Sequence, residues 1–113
     1  MKKILVMTAA LCALMASPAE ARRHRSGGLP WCGIFMMEYT GIHKPGLALA
    51  RNWASVGSNA GGPCVGCIVV WPHHVGKIVG HDGKNWIVHS GNDGGRVRTR
   101  PRSVAGAIAF RRV

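Results

Sequence analysis

Acidic residues are scarce. Four Asp and Glu stand against 15 Lys and Arg in 113 residues, a formal net charge of +11, and that balance excludes an acidic disordered tail. The chain is too short for a multidomain enzyme and allows one small domain. No internal repeat is present, and no apolar run is long enough to span a bilayer comfortably. A second Cys pair at finger spacing is also missing, which weakens a structural zinc reading of Cys64 and Cys67.

The longest apolar run, residues 4–16, follows Lys2 and Lys3 and ends in the small-residue stretch Ala19-Glu20-Ala21. This pattern predicts a secretory signal peptide over residues 1–21 and export to the periplasm or the exterior. Cleavage would leave 92 residues with 13 Lys and Arg against Glu38, Asp82 and Asp93, a net +10. Such a charge suits polyanions. For an exported chain the candidates are the carboxylate-rich cell wall or an anionic membrane surface, and nucleic acid is not expected.

Three cysteines remain after cleavage: Cys32, Cys64 and Cys67. Cys64 and Cys67 are close enough to pair, but could instead be free thiols or, with His73 or His74, metal ligands. Cys32 is the thiol left over, and in an oxidising compartment it needs a reason.

Residues 22–29 read as a basic flexible arm and residues 30–113 as the domain. Cys32, Phe35, Met36 and Tyr39 fall on one helical stripe after Pro30, and Gly41 ends it. Residues 47–56 read as a second helix with Leu47, Ala50, Ala54 and Trp53 as inward candidates, and residues 57–66 as loop. Residues 67–71 form a buried strand stopped by Pro72. Residues 75–80 and 85–90 flank an Asp82-Gly83 hairpin signal, and residues 96–99 and 107–110 are closing strands. Helices followed by four or five antiparallel strands predict an α+β domain. Trp31, Trp53, Trp71 and Trp86 are expected in its core.

Cys32 in the first turn of a helix meets the helix dipole and unpaired N–H groups, which favour a thiolate and could bind an oxyanion. A nucleophilic thiol works with an imidazole oriented by a third polar group. Among the histidines, His73 and His74 begin a strand directly after a turn, where side chains project at the rim of a sheet. With a strict two-residue Asp82-Gly83 loop, His89 pairs with Gly76 on the face of His74, while Asn92 faces away; one bulge reverses this parity. His89 and Asn92 are therefore rival third residues. Arg96, Arg98, Arg100 and Arg102 alternate, so on a strand they share a face, either as a solvated edge that blocks association with Pro101 or as an anion-binding surface.

The segments Pro30-Trp31-Cys32-Gly33-Ile34-Phe35, Gly66-Cys67-Ile68-Val69-Val70-Trp71, His74-Val75-Gly76 and Gly91-Asn92, in that order, resemble the papain-like cell-wall cysteine hydrolases of the CHAP and NlpC type. The resemblance spans about residues 30–110. It implies a papain-like fold and a thiol peptidase or amidase acting on peptidoglycan peptide or amide bonds. Cys32 would be the nucleophile and His74 the base, with Asn92 by the Gly-Asn match, or His89 by its place on the next strand, as the orienting residue. No cofactor or metal is implied, and a monomer is expected. The segment before the cysteine is shorter than in the family, and Trp31 stands where NlpC-type enzymes have Asp. The alternative is a catalytically degenerate cationic binder of the cell wall or membrane surface with the same fold.

Overall fold

The computed structural model describes residues 30–113; the expected signal peptide and basic arm lie outside the described residues. The domain is α+β. Helix α1 (Cys32–Thr40) and a 3₁₀ helix (Ala50–Ser55) precede all strands of a six-stranded antiparallel sheet. Its strands are β1 (Ser58–Asn59), β2 (Ile68–Trp71), β3 (His74–Asp82), β4 (Asn85–Ser90), β5 (Arg98–Arg102) and β6 (Ala109–Arg112). They lie in the order β1-β6-β2-β3-β4-β5, so β2 is central and β5 is an edge.

Helix α1 starts as the Pro30 signal suggests, with Trp31 at the N-cap and Cys32 as the first helical residue. It ends at Gly41, whose left-handed conformation (φ 76°) lets its N–H close on the Met37 carbonyl. Cys32 and Met36 of the expected stripe are buried, whereas Tyr39 is 45% exposed.

The second expected α-helix is instead a run of turns and a short 3₁₀ helix. The N–H groups of Leu47, Leu49, Asn52 and Val56 each bond three residues back. Side chains compete for the carbonyls an α-helix would use: the Trp53 indole N–H donates to the Leu47 carbonyl and the Asn52 amide to that of Gly46, both at 2.8 Å. The tighter winding carries a period of three, and Leu47, Ala50, Trp53 and Val56 are all buried at that spacing. Ala54, expected to face inward, is only partly buried.

Strand β2 is a β-branched run buried on both faces. Ile68 and Val70 join Val75, Cys32, Met36, Leu47, Ala50, Trp53 and Val56 beneath α1 and the 3₁₀ helix. On the reverse face, Cys67, Val69, Trp71, Ile78 and Val88 pack under loops carrying Cys64, Val104 and Ala107. Burying apolar area on both sides of one sheet gives this small chain two thin cores. Trp31 and Trp53 are fully buried and Trp71 nearly so, while Trp86 is partly buried.

The β3–β4 hairpin differs from the expected register in two ways. Asp82 pairs with Asn85, so the two-residue loop is Gly83-Lys84, with Gly83 at φ +62°. Between Ile78 and Gly80 the register shifts, leaving Val79 as the extra residue of a bulge. Beyond it, Lys77 pairs with His89 rather than Gly76 with His89.

Candidate active site

The site is assembled where the start of α1 meets the start of β3. Gly33, next to Cys32, lets α1 approach the segment that follows it: a Cβ there would lie 2.3 Å from the Leu47 carbonyl oxygen and 2.6 Å from that of Ala48. The helix therefore seats directly on the backbone of residues 47 and 48. Beside this contact lies an open cleft of about 550 Å³ lined by Pro30, Cys32, Ala48, Leu49, Pro72 and His73, among others. Its character is mostly apolar, and Arg51 stands on the wall.

Cys32 is the free cysteine among the described residues and only 1% exposed. Its thiol donates to the His73 carbonyl at 3.9 Å, a long and weak contact. The backbone N–H groups of Val75, Gly33 and Cys32 itself favour the thiolate. The sulfur thus touches the backbone on both sides of His74. Burial nevertheless outweighs these donors and the Arg102 charge, and pushes the thiol pKa up rather than down. The sequence-based expectation of a depressed pKa took in the helix N-terminus and left out desolvation.

His74 projects to the other face of β3, by strand alternation with Gly76 and Ile78. Its Nε2 lies 2.9 Å from Ser90 Oγ, and its ring packs 5.7 Å from the Trp71 ring. Burial, then the Arg102 charge, lowers its pKa from 6.5 to about 4, with Asp93 opposing. At neutral pH the ring is uncharged and able to accept a proton.

The hydrogen-bond partner found at the His74 ring is neither of the rival third residues. His89 lies on the helix-side face. Its Nδ1 is 2.6 Å from Thr99 Oγ1, and its ring packs against Phe35 and Tyr39. Asn92 sits beyond the end of β4 at φ 54°, the non-glycine positive φ among the described residues, and the chain has left the strand before reaching His74. The residue at the imidazole is Ser90, fully buried. Gly76 makes this possible, since a Cβ there would come within 3.0 Å of Ser90 Cβ and 2.6 Å of Val88 Cγ1. Gly80, a glycine inside a strand pattern, was the available hint of the bulge.

Next to Ser90, Asp93 is 4% exposed and takes both Arg100 Nε (2.7 Å) and Arg100 Nη2 (2.6 Å). That bidentate clamp holds its carboxyl below the ordinary range despite burial. The arginine stripe is thus partly engaged, on an edge strand, with Pro101 opposite Ile87. Cys64 and Cys67 are joined in a disulfide, so neither sulfur remains for a metal, and among the described residues no cluster of three or more His, Cys, Asp or Glu could hold one. No described helix is long and apolar enough to cross a membrane.

Comparison with known proteins found no match to this chain: no family model, no curated protein and no solved structure.

Proposed function

We propose that this protein is an exported cysteine peptidase or amidase with a papain-like arrangement, of the CHAP and NlpC type, acting on peptide or amide bonds of peptidoglycan. One observation carries the reading: the free thiol of Cys32 lines a cleft and lies against the backbone immediately before and after His74. The reading requires the tautomer in which Nε2–H donates to Ser90 Oγ, which leaves Nδ1 with the lone pair. For the reaction the His74 ring must come round the start of β3 from Ser90 and Trp71 to the sulfur; the thiol then leaves the His73 carbonyl and gives its proton to His74 as sulfur attacks the substrate carbonyl. The carbon–nitrogen bond breaks, His74 protonates the departing amine, and an acyl-enzyme forms. Water then loses a proton to His74, attacks the acyl carbon and releases acid and thiol.

A second reading, the degenerate cationic wall binder, is favoured by the 1% exposure of Cys32 and its raised pKa. Incubating the purified protein with peptidoglycan sacculi separates the two. The hydrolase reading expects new free amines or soluble fragments, and at least a thousandfold loss in both Cys32→Ala and His74→Ala. Release that persists in Cys32→Ala overturns it. Salt-sensitive retention on sacculi without release, unchanged by Cys32→Ala, establishes the binder.

A further inference from the structure

The charges beside His74 do not cancel. Asp93 has spent both oxygens on Arg100, and that pair is locally neutral. Arg102 approaches the same carboxylate only to 3.6 Å, and among the described residues no hydrogen bond uses its guanidinium. Its planar group instead lies over the Trp71 ring, 4.7 Å from the centroid. Trp71 is a fixed platform, nearly buried and anchored by its indole N–H to the Ala105 carbonyl at 3.3 Å. A guanidinium stacked on an indole is oriented by its face, and its in-plane N–H fork remains available to a planar anion. Arg102 is 26% exposed, so a ligand can reach it.

We propose that Arg102, seated on Trp71, is a carboxylate-binding site that selects peptides carrying a free carboxylate. The fork would pair bidentately with that carboxylate, the geometry for which guanidinium is suited and ammonium is not. Arg100 cannot take the role without releasing Asp93, and Arg98 pairs opposite Ser90 at the start of the strand. The recognition itself requires no turnover.

The test is a binding comparison in the full chain carrying Cys32→Ala, by calorimetry, with N-acetyl-alanyl-glutamate and its fully amidated counterpart as probes. The acid should bind at least tenfold more tightly than the amide. Adding Arg102→Gln should bring the ratio close to one, and Arg102→Lys should retain only part of it. Lys84→Gln, at the exposed hairpin tip, removes the same unit charge and should leave the ratio intact. The proposal is overturned if acid and amide bind alike, if the ratio survives Arg102→Gln, or if Lys84→Gln erases it equally, since the last would mean bulk charge alone. Denaturant midpoints for both Arg102 variants show whether a lost ratio reflects a lost fold, and Arg102→Lys supplies the answer if Arg102→Gln unfolds. A retained ratio with no amine release by the unsubstituted protein would sink hydrolysis and leave this site standing. Normal release with a ratio of one would do the reverse.

Discussion

The two faces of the sheet hold different kinds of chemistry. The helix-side core is an apolar set in which Cys32, Met36, Trp53, Ile68, Val70 and Val75 pack together. The reverse face combines a smaller apolar set with Ser90, His74, Asp93 and the arginines of β5. The thiol approaches the rim of β3 from the first face and the imidazole from the second. What they share is the start of β3, where the sulfur meets backbone atoms flanking His74. A thiol buried in an apolar layer and an imidazole held in a polar one can thus be tuned separately, the first by packing and the second by charge.

Truncation of the helix-side layer should produce the largest effect. Trp53→Ala removes a fully buried indole and its bond to Leu47, with an expected loss of about 3–5 kcal/mol in denaturant unfolding. Because that layer seats α1, iodoacetamide should then alkylate Cys32 faster than in the unsubstituted protein, where burial and a raised pKa keep it slow at neutral pH. Ile78→Ala on the reverse face should destabilise without that change in thiol reactivity. Equal acceleration in both variants would erase the distinction between the faces.

The next effect belongs to the polar face alone. His74 has a folded pKa of about 4 against 6.5, so between those values the unfolded chain binds more protons than the folded one. Stability therefore rises from pH 4 to pH 6.5, by up to about 3 kcal/mol. Denaturant midpoints across that window should show the slope, and His74→Gln should flatten it. The Asp93 contribution lies lower, lost as pH falls through a carboxyl pKa depressed by Arg100.

Reduction of the Cys64–Cys67 disulfide, or Cys64→Ser with Cys67→Ser, releases a short loop and should cost about 2 kcal/mol. Thermal melts with and without reductant measure it. Smallest in stability is Ser90→Ala, at about 1–2 kcal/mol for the unpartnered imidazole nitrogen. Under the hydrolase reading its larger signature is kinetic, a lower kcat with little change in KM. No kinetic change would leave Ser90 as packing only.

Much of the architecture was readable from local pattern. The α1 boundaries, the buried run before Pro72 and the hairpin around Gly83 follow from apolar periodicity and turn residues, and all are present within a few residues. Residues 47–56 misled because Leu47, Ala50 and Trp53 fit a helix of either pitch. The side-chain bonds from Asn52 and Trp53, which select the tighter one, depend on where the chain has already folded. His89 and Asn92 could not be ranked because their faces depend on one residue of register.

Composition and spacing were thus enough for an α+β chain of strong positive charge, with an unpaired cysteine at a helix start and a histidine at a strand start. These properties belong to neighbours along the backbone, where helix and strand periods act. Folding alone set Ser90 rather than His89 against the imidazole, left Arg102 over Trp71 with its fork unspent, and buried Cys32 deeply enough to reverse its expected acidity. A strand repeats every two residues, so the single extra residue at Val79 exchanges the two faces of everything beyond it. Whether that bulge forms is settled by how β3 and β4 pack between distant layers.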